Sequence, residues 1–436
     1  MARLLRYFWV LTLLVFAVQL VDAQTYKTHK VKKKETLYGI ATENGLTVDQ
    51  LIAANPGMEK ADYMLKKGDV IRVPVIVKGE NGDVRQRVIR LGVMLPLQNV
   101  NNDGKRMVEY YRGVLMACDS LKKESISVDV KAWNLSEDTD IQSVLSDPQA
   151  ADRDVIIGPF YEKFVGRLSA FAKTHQIMMV VPFSIHSAEV YTNPHLFQIY
   201  QNHESQNEST ARRISEWFHN YHPIIVDGGD AQSTKGAFTA VLRQQLTEHN
   251  ISYNVTSLKS ADTDFAHAFA SNMPNIVVLN TANLTSLNAL FAKLNQLMST
   301  YQGVKVSIFG YMDWMPYTDQ YLTNFHKYDM YLPAPFYTNL DTPLAKRLQL
   351  KYRWNFHEDM INILPRFALT GFDHTAFFLR GLHKYGKEFD GAAGRFNYQP
   401  SQTPLKFERI GAGGYQNRSY MFVHYKPDGT IETITY

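Results

Sequence analysis

Between residues 88 and 365 the chain alternates short apolar runs rich in β-formers with amphipathic segments, and this alternation constrains the fold most. The first runs are VIRLGVMLPL, ISVDVKAW, DVIIGPF and IMMVVPFS, with helical patterns near 105–123, Ile141 and 162–175. Continuous apolar runs separated by helices are typical of a parallel sheet covered on both faces. Right-handed crossovers are the expected connections. The sequence therefore predicts an α/β fold.

A second series of the same kind follows a helical pattern at 204–220. Its apolar runs are HPIIVDGG, ISYNVTSL, NIVVLN, KVSIFGY and DMYLPAPFY. Two doubly wound parallel sheets in tandem predict two lobes with a cleft between them. We assign the first lobe to about 88–203 with parts of 366–436, and the second lobe to about 221–365. The C-terminal stretch GYQNRSYMFVHYKPDGTIETI predicts antiparallel strands around a Pro-Asp-Gly turn.

Residues 1–23 have the pattern of a secretory signal peptide. Two arginines precede an apolar stretch at 7–20, and Val21 and Ala23 are the small residues before a cut at Gln24. The stretch is shorter than the roughly 20 residues of a spanning helix, which favours cleavage over a membrane anchor. No later run reaches that length, and no cysteine stands at the cut to carry a lipid. We therefore expect a soluble, exported protein without a lipid anchor.

The segment 24–77 predicts a closed unit with the order strand, helix, helix, strand. Thr36 and Thr47 are placed to cap two short helices. Asn55-Pro56 ends the second helix, because a proline disfavours helical geometry in the residue before it. The polar stretch 78–87 is then the expected linker to the rest of the chain.

Separated motifs in this segment fall in the order and spacing of a LysM domain, which the segment resembles over essentially its full length. The motifs are His29-Lys30-Val31, Glu35 to Ala41, Leu51, Asn55-Pro56, Leu65, Gly68-Asp69, Ile71 and Pro74. One departure is Lys34-Glu35, where the family usually has Gly-Asp.

The LysM resemblance implies binding of chains that contain N-acetylglucosamine, of which peptidoglycan is the expected example. The groove is expected between the loop that opens the first helix and the loop that leaves the second. The candidate glycan-binding residues are Glu35, Thr36, Leu37, Asn55, Pro56 and Leu65. For Thr36, Leu37 and Leu65 a role as helix cap or core residue is an open alternative.

The large domain at 88–436 resembles the type I periplasmic binding proteins, whose fold also occurs in amino-acid receptors. The residues that carry this resemblance are Ile89 to Pro96, Ile156 to Pro159, Ile177 to Ser184, Ile224 to Asp227 with Gly236, and Gly371 to Asp373. It implies that a ligand binds in the cleft between the lobes.

Ligands of open parallel sheets bind beyond the carboxyl ends of the strands. The candidate cleft residues are Gln98, Phe160, Tyr161, Phe183, Ser184, Asp227, Asn280, Tyr311 and Trp314. The chain departs from the amino-acid-binding pattern, because Phe160-Tyr161 stands where small hydroxyl residues are expected. The aromatic residues favour a larger, partly apolar ligand, such as a peptide. Packing the lobes together is their alternative role.

Charge and motif content exclude several classes of function. Residues 24–77 hold nine basic and six acidic residues, whereas later residues balance at 35 of each, so the large domain has no net charge that would favour nucleic acid or anionic membranes. The chain has no G-x-S-x-G, G-x-x-x-x-G-K or H-E-x-x-H motif, so we expect no enzyme, cofactor or metal site. Cys118 is expected to be buried, and His219 and His222 to satisfy helix-end carbonyls. Asp373-His374 is expected to form a surface pair on a helix or to support another residue from behind.

The sequence thus predicts a non-enzymatic bacterial envelope protein that is wall-associated, with a glycan-binding module and a cleft for a small ligand or peptide. The alternative is an interaction or scaffold protein that regulates a cell-wall synthase without a small-molecule ligand. A wall hydrolase is a remote third hypothesis, which sugar release from peptidoglycan would reveal.

Overall fold

The computed structural model describes residues 26–60, 63–75, 88–98, 100–186, 188–340, 342–392, 394 and 398–436. The predicted signal peptide at 1–23 and the predicted linker at 78–87 lie outside the described residues. The described residues form one two-stranded sheet and two seven-stranded sheets. The two large sheets confirm the predicted α/β architecture with two lobes.

The N-terminal module has the predicted order of elements. They are β1 (Tyr26–Lys30), α1 (Leu37–Glu43), α2 (Val48–Ala53) and β2 (Val70–Pro74). Strands β1 and β2 pair antiparallel. Thr36 and Thr47 accept hydrogen bonds from backbone N–H groups in the first turns of α1 and α2, which confirms both as helix caps.

The first lobe is built on five parallel strands with helices on both faces. The strands are β3 (Ile89–Leu95), β4 (Val128–Asn134), β5 (Val155–Ile157), β6 (Met178–Val181) and β7 (Leu196–Gln198). The helices between them are α3 (Asn102–Lys122), α4 (Ile141–Leu145), α5 (Pro148–Ala151) and α6 (Val165–His175). The parallel strands lie in the order β4-β3-β5-β6-β7. The chain therefore moves from β3 to one side at β4 and then crosses to the other side of β3 for β5, so the sheet order reverses between β3 and β5.

The second lobe repeats this plan. Its strands are β8 (His222–Asp227), β9 (Asn254–Ser257), β10 (Asn275–Leu279), β11 (Val306–Phe309) and β12 (Met330–Ala334). Its helices are α7 (His203–Trp217), α8 (Gly236–Glu248), α9 (Asp262–Ala266), α10 (Leu284–Thr300) and α11 (Thr318–Lys327). The order β9-β8-β10-β11-β12 has the same reversal, here between β8 and β10.

The C-terminal part of the chain contributes to both lobes. After α12 (Pro343–Phe356) and α13 (Phe367–Tyr385), four strands follow: β13 (Phe407–Arg409), β14 (Tyr415–Asn417), β15 (Met421–Tyr425) and β16 (Ile431–Thr435). The pair β13 and β14 extends the first sheet beside β7, while β15 and β16 extend the second sheet beside β12. The predicted antiparallel hairpin is therefore present as β15 and β16, outside the range of 221–365 that we assigned to the second lobe.

Helices α3 and α13 cross at unusually close range in the first lobe. A Cβ atom on Gly113 would lie 1.9 Å from the carbonyl oxygen of Ala368, and one on Gly371 would lie 2.1 Å from that of Tyr110. Because no side chain larger than hydrogen fits at such distances, glycine at both positions is required for this crossing. The crossing fixes the C-terminal segment on the first lobe.

Helix α12 packs against both the first lobe and the N-terminal module. Its Trp354 is 8% exposed, belongs to the module's apolar cluster, and donates its indole N–H to the carbonyl of Lys60 at 3.3 Å. On its other side Tyr352 packs with Met116 of α3. The module therefore rests on a surface formed by α3 and α12.

Buried charges join the same three elements. Lys351 of α12 lies 3.3 Å from the Asp49 carboxylate of the module and 3.6 Å from that of Asp119 in α3. Asp119 also accepts the backbone N–H of Val48 at 3.3 Å. Burial raises the pKa of Asp119, although Lys351 and Lys122 oppose that shift.

Candidate functional site

The loop that opens α1 is stabilised by Glu35 and Thr36. The Glu35 carboxylate accepts the backbone N–H of Lys32 at 2.7 Å and contacts His29 Nε2 at 2.8 Å. These bonds lower the pKa of Glu35, with the Lys32 N–H as the largest cause. Leu37, the next residue, is fully buried in the module core.

The loop that leaves α2 is held by Asn55. Its side chain donates to the carbonyls of Leu51 and Arg72 at 2.8 and 2.7 Å, and it accepts the backbone N–H of Arg72 at 2.7 Å. Pro56 is exposed beside it, whereas Leu65 is buried at 9% exposure. Within this candidate set, Pro56 is therefore the side chain most open to a ligand, and Leu37 and Asn55 have structural partners.

A cavity lies between the two lobes of the large domain. It consists of two adjoining spaces of about 360 Å³ and about 240 Å³. Both spaces are lined by His203, Gln206, Met312 and Phe336, so they lie next to each other. The larger space faces the second lobe, and the smaller space faces the ends of β6 and β7 in the first lobe.

Two of the predicted cleft residues line this cavity. Tyr311 lines the larger space, where its ring lies 5.0 Å from the Lys235 ammonium group. Phe183 lines the smaller space and stacks on Tyr200 with ring centroids 6.3 Å apart. The walls are largely apolar, as is common in small-molecule sites.

The other predicted cleft residues do not line it, and their part in binding stays a prediction. Gln98, Phe160 and Tyr161 follow β3 and β5, Asp227 ends β8 and Asn280 follows β10, so both groups lie where the sheet order reverses. The cavity instead lies beside β6, β7, β11 and β12. It is thus displaced from the reversal points at which ligands of open sheets usually bind.

Local hydrogen bonds occupy several of these residues. Asp227 accepts from the Gly229 N–H at 3.0 Å and the Asn280 amide at 2.8 Å, and both bonds lower its pKa. Trp314 is fully buried and donates its indole N–H to the carbonyl of Ala282 at 2.8 Å. Phe160 packs edge-to-face on Tyr161 and Phe183, with centroids 5.0 and 5.8 Å apart.

Sequence reasoning missed most of the cavity wall, including Gln201, His203, Gln206 and Phe336. They lie on the crossings between the lobes, after β7 and after β12. The sequence did contain a signal for these wall residues, because polar residues and prolines follow directly on buried strands at the crossings. We predicted ligand contacts only at strand ends within each lobe.

The predicted surface pair Asp373-His374 is wrong, because both residues are buried in α13. Asp373 accepts backbone N–H groups from residues 401–403 at 2.7 to 2.8 Å, yet burial raises its pKa to about 6. His374 Nδ1 lies 2.9 Å from the Tyr110 hydroxyl, and burial lowers the pKa of this histidine to about 3. Both residues join α13 to its surroundings.

Cys118 is buried as predicted, and burial raises the pKa of its thiol to about 12. His219 Nδ1 lies 2.9 Å from the carbonyl of Glu216 at the end of α7, as predicted, whereas the prediction for His222 is wrong because this residue is the first of β8. In the described ranges, no three His, Cys, Asp or Glu residues are grouped so that they could hold a metal ion. No helix in the part of the chain that the structure describes is long and apolar enough to cross a membrane.

The fold defines a two-lobed domain of the type I periplasmic-binding kind, preceded by a small βααβ module. Residues 29–74 match the family model of the LysM domain, so this module is a LysM domain. No curated protein gave a match to the chain.

Solved structures of the same two-lobed fold match most of the chain. A putative branched-chain amino acid ABC transporter protein from Rhodospirillum rubrum is 13% identical with a TM-score of 0.54, and the match covers 80% of this chain and 100% of that one. The C-domain of LpoA from Haemophilus influenzae, described as a regulator of PBP1A, is 14% identical with a TM-score of 0.50, over 79% and 99% of the two chains. Full-length LpoA is 15% identical with a TM-score of 0.50, and the match spans 59% of its length.

Proposed function

We propose that this is a non-enzymatic protein of the bacterial cell envelope that binds peptidoglycan, or another glycan with N-acetylglucosamine, through residues 29–74. Its two-lobed domain takes a small ligand or peptide between the lobes. The observation that carries the proposal is the combination, in one chain, of a LysM domain with a largely apolar cavity between two lobes. The expected export by residues 1–23 places both sites where wall fragments are available.

The proposed binding of glycan by residues 29–74 is tested by co-sedimentation of the full chain with purified peptidoglycan. Pro56→Asp replaces an exposed apolar contact by a charge in the proposed groove. We expect at least about fivefold weaker binding, which corresponds to roughly 1 kcal/mol. The matched control is Val70→Asp, since Val70 is 66% exposed on β2 of the same module. Equal binding by both variants and the unchanged protein would reject this groove.

A second candidate function is regulation of a cell-wall synthase by direct contact, without a small-molecule ligand. The fold similarity to the LpoA C-domain supports it, as does the position of Phe160-Tyr161 at a reversal point where a carboxylate-binding hydroxyl is expected. The test is the glycan polymerisation rate of a purified synthase from the host, with and without this protein. An unchanged rate at saturating protein would remove this candidate.

We expect that this protein does not hydrolyse peptidoglycan. Incubation of the full chain with purified peptidoglycan is expected to release no soluble sugar above the buffer blank. Release that scales with protein concentration would show that the chain is an enzyme.

A further inference from the structure

The large domain holds one of the two loops that flank the proposed glycan groove. This loop, residues 54–60, leaves α2 and ends at Lys60. Helix α12 donates the indole N–H of Trp354 to the carbonyl of Lys60 at 3.3 Å, and the same carbonyl accepts the backbone N–H of Tyr63 at 3.1 Å. The end of the loop is therefore held by a residue that lies 294 positions away in the chain.

The start of the same loop is held within the module. The Asn55 side chain bonds to the backbone of Leu51 and Arg72 at 2.7 to 2.8 Å. Between the two anchors, Pro56 is exposed and Met58 is buried. The exposed part of the loop is thus fixed on one side by the module and on the other side by the large domain.

Other contacts fix the module on the same surface. Asp119 of α3 accepts the backbone N–H of Val48 at 3.3 Å. Lys122 of α3 donates to the carbonyl of Leu46 at 3.4 Å, and its ammonium group lies 5.9 Å from the centroid of the Tyr38 ring on α1. The bond to the loop is one of several separated contacts, which together fix the orientation of the module on α3 and α12.

Trp354 is not placed to contact a glycan directly. Its side chain is only 8% exposed, and it belongs to the apolar cluster of the module together with Met58 of the loop. Its indole N–H is already bonded to Lys60. An effect of Trp354 on glycan binding therefore passes through the loop, which makes it a positioning residue.

A loop that is held before the ligand arrives binds at lower cost. Ordering a loop on binding costs conformational entropy, and prior anchoring avoids part of that cost. Coupling between two sites is reciprocal. A glycan that binds the held loop must therefore in turn stabilise the contact between the loop and α12.

We propose that Trp354 positions the loop 54–60 for glycan binding, so that the large domain sets the glycan affinity of the LysM domain. The LysM domain and α12 then act as one glycan-binding unit. This inference rests on the proposed binding of glycan by residues 29–74 and adds to it a residue from outside the module.

Co-sedimentation of the full chain with purified peptidoglycan tests the positioning role. Trp354→Phe keeps an aromatic ring in the cluster and removes the indole N–H, and we expect about threefold to tenfold weaker binding. The matched control is Trp133→Phe, which should leave binding unchanged. Trp133 is 9% exposed, donates its indole N–H to Asp147 at 2.9 Å, and belongs to a different apolar cluster.

Hydrogen–deuterium exchange separates positioning from a purely structural role. Saturating peptide-free glycan strands should slow amide exchange at 350–356 of α12 in the unchanged protein, because the bound loop stabilises its contact with that helix. In Trp354→Phe this protection of α12 should be lost, whereas residues 32–40 should still be protected. A residue that only stabilises the fold would give no glycan-dependent change in α12.

The outcomes separate this inference from the glycan function. Equal binding of peptidoglycan by Trp354→Phe and the unchanged protein would overturn the inference and leave the glycan function in place. Weaker binding by Trp354→Phe without glycan-dependent protection of 350–356 in the unchanged protein would also overturn it, since Trp354 would then act only on the stability of the fold. Failure of the unchanged protein to bind peptidoglycan would reject the proposed function, and this inference with it.

Discussion

His424 lies between two carboxylates at the outer part of the second sheet. Its Nε2 is 2.6 Å from Asp329 and its Nδ1 is 3.1 Å from Glu432, while its ring stacks on Tyr331 at 3.9 Å. Burial disfavours the protonated ring, but the bonds to the two carboxylates outweigh burial and raise the pKa of His424. The protonated histidine therefore stabilises the folded state.

This arrangement predicts a pH dependence of stability. Because the folded pKa lies above the unfolded value of about 6.5, the stabilisation is fully present below that value and is lost as the pH rises through the folded pKa. His424→Gln should lower the free energy of unfolding by roughly 1–3 kcal/mol near pH 5.5, and by less at pH 9. Denaturant unfolding at both pH values measures the difference. A difference that grows with pH would contradict the role of His424, and Asp329→Asn should reduce the pH dependence.

At the scale of elements, α12 connects the second lobe to α13 and also supports the LysM domain. Lys351 is 4% exposed and faces the carboxylates of Asp49 and Asp119. Burial disfavours ionisation of Asp49, but Lys123 and Lys351 outweigh it and lower its pKa. Removal of the Lys351 cation would leave the buried Asp119 carboxylate with Lys122 and the half-buried Asp49 carboxylate with Lys123.

Lys351→Met should therefore lower the free energy of unfolding by about 3 kcal/mol, the usual effect of breaking a buried ion pair from one side. The control is Arg347→Met, an exposed position on the same helix, which should stay within about 0.5 kcal/mol of the unchanged protein. In the double variant with Asp119→Asn, part of the loss should be recovered. A loss below 1 kcal/mol for Lys351→Met would show that the network does not stabilise the interface.

The elements themselves were largely predictable from the sequence, because their signals are local. The spacing of apolar residues and the caps Thr36 and Thr47 predicted the ends of helices and strands to within a few residues, as for α3 and α10. The contact of Trp354 with Lys60 was not predictable, since it joins residues 294 positions apart. The cavity wall was missed for a related reason: its position depends on how two lobes meet, which no single periodic segment encodes.

At the scale of the whole molecule, two lobes with the same order of parallel strands border a cavity, and the LysM domain is packed on helices α3 and α12. The glycan loops at 32–37 and 54–60 and the cavity belong to different parts of this assembly. We therefore propose two separate binding sites on one chain.

Hydrogen–deuterium exchange of the full chain with peptide-free glycan strands tests this assignment most directly. Binding slows amide exchange where the ligand protects or stabilises the backbone. The account predicts slower exchange at 32–40 and 54–60, with unchanged exchange at the cavity segments 183–186, 199–206 and 311–316. Protection of the cavity segments with none at 32–40 and 54–60 would contradict the account, because the glycan would then bind between the lobes and not to the LysM domain.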